Sequence, residues 1–363
     1  MTGTIDRRSL VAGAAALTLG APALAQPRRK LGYAIVGLGG YAGRILPEFA
    51  NCSTSRVTAL VSGDRAKATE WARKYGVPES GIYDYTTFDR IADNKDVDIV
   101  YVILPNSMHA EYTIRAAKAG KHVMCEKPMA VSAAECEQMI AACARANRKL
   151  MIGYRSRFQP HNMEAIRLAR SGAAGKIRYV RSEHGFVMRD PSVWRLDRAR
   201  SGGGSLMDIG IYALQAARYM TGEEPVAVSA TESTDRRDPR FRTVEDLLAW
   251  TMEFPSGAMA GCQTMYSASQ NRIFLAGTEG RIELEPATGY EGQKMWTGKN
   301  GRDREVTPPP GPRSTQFAGQ LDHLSECILA DREPIVSGKE GLQDLRIIEA
   351  IYRSAREGRR VTL

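Results

Sequence analysis

Histidine is scarce in this chain of 363 residues, with five, and the six cysteines form no C-x-x-C pair and no metal-type spacing. Neither a zinc ribbon nor a redox dithiol is therefore read from it, and no metal site is expected. Cys52, Cys125, Cys136, Cys143, Cys262 and Cys327 are expected to be buried free thiols. Cys136 and Cys143 lie two turns apart on one expected helix, too far for a bridge within it. After residue 25 no apolar run approaches the ~20 residues that a bilayer-spanning helix needs, so no membrane partner is expected. No nucleic-acid motif accompanies the formal net charge of +9. The basic residues are spread along the chain and read as solvated faces, with at most a local role beside an anionic cofactor. No internal repeat is present.

What is present is a globular composition, 43% hydrophobic and 25% charged, in a chain long enough for two domains. Residues 1–25 stand apart. Asp6-Arg-Arg-Ser-Leu10 precedes an apolar run, Val11–Leu19, and then Ala23-Leu-Ala25 suits a signal peptidase. This reads as a Tat-type signal cleaved after Ala25, with export of a folded protein to the periplasm. A Sec signal or a tail outside the fold is the alternative.

The next stretch organises the rest. Tyr33–Val36 is a short apolar run of the kind found in buried parallel strands. Gly37, Gly39 and Ala42 follow with the spacing G-x-G-x-x-A, the pattern of a dinucleotide-binding turn. Gly37 permits the tight turn, Gly39 lets a pyrophosphate approach the backbone, and Ala42 lets the helix pack close. A helix starting near Gly40 would point its N–H groups at the phosphates.

Strands and helices then alternate. Arg56–Ser62 is the second strand, and Ser62-Gly-Asp-Arg-Ala-Lys67 follows it. A small hydroxyl, a glycine and the cations Arg65 and Lys67 fit the 2′-phosphate of NADP, whereas Asp64 is the one residue that would serve NAD instead. Asp98–Leu104, His122–Cys125 and Leu150–Gly153 are further strands, Tyr83–Tyr85 is a short strand or turn, and Thr87–Ala92 a helix. Residues 31–153 are thus expected to form a doubly wound parallel sheet. Residues 154–363 read as an α+β domain on a large, mainly antiparallel open sheet. Its strands are Ile177–Phe186, Val226–Thr231, Asp246–Phe254, Ala258–Tyr266, Arg272–Ala276 and Arg281–Leu284, and one helix spans Leu206–Gly222. An extended connector covers Thr307–Pro312.

Chemistry is read from two places. Glu126-Lys127-Pro128 follows a strand of the first domain, at the end where ligands bind. Asp208 and Tyr212, four residues apart, share one helix face in the second domain. A lysine facing a tyrosine across a cleft suits hydride transfer, since an ammonium beside a phenol favours its phenolate and the phenolate can take a hydroxyl proton. Asp208 would orient substrate or hold Lys127.

The stretches Tyr33–Gly43, Leu104–His109, Ala119–Pro128, Leu150–Arg155 and Gly202–Tyr212 resemble the Gfo/Idh/MocA oxidoreductases, and within them the periplasmic glucose–fructose oxidoreductase branch. Gly222–Pro225, Pro286–Tyr290 and Gln320–His323 carry the same resemblance, which runs from about residue 31 to the C-terminus. Tyr212 separates this branch from inositol dehydrogenase relatives, which have histidine there. The resemblance implies a Rossmann domain and tightly held NADP, reduced by an aldose and reoxidised by a second sugar. Lys127 and Tyr212 would be the catalytic pair with Asp208 as helper. Gly37, Leu38, Gly39, Gly40 and Tyr41 would line the pyrophosphate turn. Ser62, Gly63, Lys67 and Tyr85 would hold the 2′-phosphate end. Leu104, Asn106, His109, Glu126, Lys127 and Arg155 would line the ribose and nicotinamide side, and Trp194 and Arg195 would complete the pocket. The branch carries a long proline-rich arm that wraps a neighbouring subunit. Here only Gln26–Lys30 separate the expected cleavage site from the first strand, so a homodimer through the open sheet is expected, with a tetramer as the alternative. An ordinary NAD(P)-dependent sugar or inositol dehydrogenase with exchangeable cofactor, and a non-catalytic nucleotide- or sugar-binding protein, are the competing functions.

Overall fold

The run Leu31–Val36 is buried along its whole length and forms β1. The computed structural model describes residues 29–299, 301–311 and 315–363. Around β1 it places β2 (Ser55–Val61), β3 (Ile82–Tyr83), β4 (Ile99–Val102), β5 (His122–Cys125) and β6 (Leu150–Ile152) in the order β3-β2-β1-β4-β5-β6. Every pair is parallel. The continuous burial of β1 and β4 is what a sheet covered on both faces requires. The strand order reverses between β1 and β4, so the crevice at their carboxyl ends is the place where such sheets hold ligands. The expected signal, residues 1–25, lies outside the described residues, as does Pro312 of the expected connector.

The second sheet contains β7 (Ile177–Gly185), β8 (Ala227–Ser233), β9 (Leu247–Glu253), β10 (Met259–Met265), β11 (Gln270–Gly277), β12 (Arg281–Leu284), β13 (Met295–Lys299), β14 (Arg302–Glu305) and β15 (Val361–Thr362). Their order is β14-β13-β12-β11-β7-β10-β9-β8-β15. Only β7 and β10 run parallel among these pairs. In β7 the side chains of Val180, Ser182 and His184 are buried under the helix Ile211–Thr221, while the helix Gly338–Glu357 covers β8 and Tyr179 is exposed on the open face.

Three readings of the sequence change. The helix read over Thr87–Ala92 is a 3₁₀ turn, Phe88–Asp93. The helix read over Leu206–Gly222 opens with a π-helical turn, Leu206–Gly210, before the α-helix Ile211–Thr221. Strands β13, β14 and β15 carry no apolar alternation to read, and β14 is exposed throughout. The helix Gln316–Leu329 also returns to the first sheet. Tyr33 donates to the Leu321 carbonyl at 2.7 Å, and the backbone N–H groups of Ser53 and Thr54 donate to the Asp322 carboxylate at 2.7 and 3.0 Å. The boundary at residue 153 therefore divides the sheets but not their helical covers. All six cysteines are buried and unpaired.

Candidate active site

Between the two sheets lies a cleft of about 940 Å³. Its floor begins where β1 ends. Gly37 has φ of +95°, and a Cβ there would stand 2.3 Å from the Ile103 carbonyl oxygen, so glycine is required on both counts. Gly39 and Gly40 face open space. No side chain caps the helix Gly40–Ile45, so the N–H groups of this turn are free to meet a pyrophosphate, and fully buried Ala42 packs the helix down. These features fit a dinucleotide. Leu38 and Tyr41 line the same wall.

At one end of the cleft stand Ser62, Asp64, Lys67 and Tyr85. Asp64 is occupied as a helix cap, accepting from the Lys67 N–H at 3.0 Å, and the Ser62 hydroxyl accepts from the Asp64 N–H at 3.1 Å. Arg65, read as a cation for the 2′-phosphate, turns away to the Ile82 carbonyl at 3.1 Å and to Glu79 at 3.5 Å. Lys67 is the cation that stays. Gly63 does not line the cleft; its missing side chain makes room for the Tyr85 ring, 3.2 Å from where a Cβ would lie.

At the other end the domains meet through charge. Lys127 Nζ donates to the Asp208 carbonyl and stands 3.3 Å from Asp208 Oδ1. Arg195 Nε lies 3.3 Å from the same oxygen, and the Tyr266 hydroxyl donates to Oδ2 at 3.0 Å. Burial opposes ionisation of Asp208, but Lys127 and Arg195 outweigh it and hold the carboxyl down at about 2. Burial likewise opposes the Lys127 ammonium, and Asp208 followed by Tyr212 reverses the effect, leaving its pKa above the ordinary lysine value. This ion pair stays charged at neutral pH. The ammonium lies 5.2 Å from the Tyr212 ring centroid, and the Arg155 guanidinium lies 5.1 Å from it. Tyr212 is thus flanked by two cations.

Several buried groups fix this arrangement. Glu245 accepts from the N–H groups of Gly204 and Leu206 at 2.8 and 2.9 Å, anchoring the start of the π-helical turn that presents Asp208. Arg155 donates to the carbonyls of Thr288 and Gly289 at 2.6 and 3.2 Å and to Gln316 Oε1 at 2.9 Å. His184, on β7, sits 6.0 Å from the Tyr212 ring and bonds Ser182 and Thr288 at 3.1 and 3.2 Å. Burial, then Arg155, pushes its pKa down to about 3, so it is neutral. Burial raises the Glu126 carboxyl, which accepts from the Tyr101 hydroxyl.

Of the residues expected at the site, all but Gly63, Arg65 and His109 line the cleft. His109 was expected beside the nicotinamide. Its buried ring instead bridges the carbonyls of Leu104 and Pro128, each at 2.9 Å, and so ties the ends of β4 and β5 from behind. Asn106 both lines the cleft and donates to the Ser201 carbonyl at 2.8 Å, joining the domains. Sequence reasoning missed Tyr266, Glu245 and Phe186, which shares the cleft wall with Met188 and Val193. Thr288, Gly289 and Tyr290 lay in a stretch noted for its resemblance but received no role. Among the described residues no group of His, Cys, Asp or Glu is placed to hold a metal ion, and no helix is long and apolar enough to cross a membrane.

A glycine turn at the switch point of a parallel sheet, facing an ammonium, a carboxylate and a phenol, defines a nicotinamide-dinucleotide oxidoreductase. Residues 31–154 match the oxidoreductase family model for an NAD-binding Rossmann fold, and residues 167–363 match the model for its C-terminal α/β domain. The chain belongs to the Gfo/Idh/MocA oxidoreductase family. It is 62% identical to an aldose–aldose oxidoreductase from Caulobacter crescentus solved with glycerol, with a TM-score of 0.91 over 92% of this chain and 100% of that one. It is 30% identical over 334 residues to the NADP⁺ D-xylose 1-dehydrogenase of Haloarcula marismortui, covering 89% of this chain and 90% of the relative. A levoglucosan dehydrogenase solved with NADH and levoglucosan shares the fold at 23% identity, with a TM-score of 0.81 over 92% of this chain and 99% of that one.

Proposed function

We propose that this protein is a sugar oxidoreductase that oxidises an aldose at C1 to the lactone and reduces a second sugar to the alditol, by a ping-pong cycle on tightly held NADP. The observation that carries this reading is the Lys127–Asp208–Tyr212 cluster at the domain junction, in the same cleft as the glycine turn. The similarity to an aldose–aldose oxidoreductase and to an NADP⁺ xylose dehydrogenase supports the substrate class. Lys67 beside Ser62 and Tyr85, with Asp64 spent on capping, supports NADP over NAD. Bound nicotinamide supplies the hydride acceptor and, once reduced, the donor.

The chain's own residues handle the proton and the developing charge. Tyr212 takes the proton of the anomeric hydroxyl as C1 gives up its hydride. It returns a proton to the carbonyl oxygen of the second sugar as that carbon receives hydride. Lys127 stays protonated and polarises the sugar oxygen in both directions, with Asp208 holding its ammonium in place. Phe186, Met188, Val193 and Trp194 offer an apolar wall opposite these charges, suited to the hydrophobic face of a sugar ring. The twin-arginine stretch at residues 6–10 supports export to the periplasm, and the open face of the second sheet supports a homodimer.

The test is an absorbance spectrum of the purified protein without added nucleotide. Glucose should raise the band of reduced nicotinamide at about 340 nm, and fructose or another sugar should abolish it. A protein that responds only when NADP⁺ or NAD⁺ is supplied is instead an ordinary dehydrogenase, the reading that the xylose dehydrogenase relative favours. A protein that responds in neither case is a binding protein or acts on a different substrate.

A further inference from the structure

The loop Ala287–Gly292, between β12 and β13, is anchored at its base and reaches across to the other domain. The N–H groups of Ala287 and Thr288 and the Thr288 hydroxyl all donate to Asn271 Oδ1, at 3.1, 2.8 and 3.0 Å. Further along, Gln316 donates to the Tyr290 carbonyl at 2.9 Å and accepts from Arg155 at 2.9 Å. The loop is therefore held to the end of the first sheet through Arg155. At its tip the Tyr290 ring lies against two guanidinium groups. Arg44 stands 4.1 Å from the ring centroid and Arg155 stands 4.6 Å from it. Phe317 supports the ring at 5.7 Å.

Arg44 belongs to the helix that starts at the glycine turn. A second-domain aromatic thus grips the element that faces the pyrophosphate. Thr288, Gly289 and Tyr290 also wall the same cleft as Gly37–Tyr41. Tyr290 is 43% exposed, so this contact sits at the protein surface and can part without opening a core. A stack of two cations on one ring is attractive even where water reaches it.

We propose that Tyr290, gripped by Arg44 and Arg155, is part of the dinucleotide site and sets how long the nucleotide stays. The inference rests on the reading that this cleft holds a dinucleotide. Nucleotide leaving past the glycine turn would have to part Tyr290 from Arg44, so breaking that contact should speed release. An exposed cation–π contact corresponds to roughly twofold to fivefold in rate, and loss of the whole stack to about tenfold.

The experiment measures dissociation of NADPH from the loaded full-length protein by its fluorescence, after mixing with excess NADP⁺. Tyr290→Ala should release NADPH about tenfold faster and Arg44→Ala roughly twofold to fivefold faster, while Tyr290→Phe should match the unaltered protein. Combining Arg44→Ala with Tyr290→Ala should add little to Tyr290→Ala alone, because both remove one contact. Thermal melting without nucleotide checks folding, and if Tyr290→Ala does not fold, Arg44→Ala and Tyr290→Leu carry the test. Unchanged release in folded Arg44→Ala and Tyr290→Ala, or Tyr290→Phe behaving like Tyr290→Ala, overturns the inference. The rate in the unaltered protein tests something else: rapid release defeats tight retention, yet the ratio between variants still decides the role of Tyr290. A protein that binds no NADPH defeats both.

Discussion

Two buried charge clusters flank the helix Ile211–Thr221, and they are built to opposite ends. At its far end Arg218 is itself buried and joins three carboxylates, of which Glu224 reaches solvent. Its Nε and Nη2 pair with the Glu224 carboxylate at 2.7 and 2.6 Å, its Nη1 pairs with Asp344, and Gln215 donates to the other Asp344 oxygen at 2.8 Å. Arg218 is 3% exposed and Asp344 is fully buried. At the near end Asp208 is equally surrounded, yet its partners Lys127 and Arg195 are 14% and 38% exposed and both border the cleft. The first cluster directs its hydrogen bonds to other parts of the fold. The second leaves donors facing a space where something else can bind. A saturated buried pair joins elements, whereas an unsaturated one at a cleft is a reagent.

That contrast can be broken in order of effect. Arg218→Ala leaves Asp344 buried without its counter-charge, and should cost about 3–5 kcal/mol in denaturant unfolding. An unchanged midpoint would mean that the closed cluster is not structural. Lys127→Met should do the reverse. Sugar-dependent turnover should fall roughly 100-fold or more, while the melting temperature moves far less than in Arg218→Ala, because Arg195 and Tyr266 still face Asp208. A large drop in stability with modest loss of turnover would erase the distinction.

Acid probes the cleft side. His184 is buried neutral with its pKa down at about 3, so between about pH 6.5 and 3 the unfolded chain binds a proton that the folded chain refuses. Its share of stability should fall by roughly 1.4 kcal/mol per pH unit on acidification across that window. Asp208 loses its contribution only below about pH 4, as pH falls toward its folded value of about 2. Denaturant midpoints against pH for the unaltered protein and for His184→Asn would show the difference; parallel curves would exclude His184. The smallest effect belongs to Tyr266→Phe. It removes one hydrogen bond from Asp208 and should lower stability by about 1 kcal/mol and turnover by a few-fold, with both measured on one preparation.

Much of this was legible in the sequence where chemistry and backbone demand coincide. Gly37 and Gly39 are fixed by a turn that admits no side chain and a ligand that needs the backbone, and the short apolar runs of β1 and β4 are buried from end to end. Residues that act from behind the site leave no such mark. Glu245 and Tyr266 meet the Asp208 turn only through long-range packing, and neither spacing nor periodicity points to them. His109 misled because the stretch Leu104–His109 runs beside the cleft, and its ring bonds carbonyls on the hidden side. Arg65 misled in the same way, since a helix turns neighbouring residues to different faces and only Lys67 looks inward. The π-helical turn was unreadable because Leu206–Gly222 carries an unbroken helical pattern.

The buried thiols have a practical consequence. With Cys52, Cys125, Cys136, Cys143, Cys262 and Cys327 all shielded, the folded protein should keep in air without a reductant. A thiol-reactive dye then becomes a clock. Labelling at Cys125, at the end of β5, times the opening of the nucleotide-binding sheet, and labelling at Cys262, on β10, times the opening of the other. The chain carries its own pair of stopwatches, one for each half.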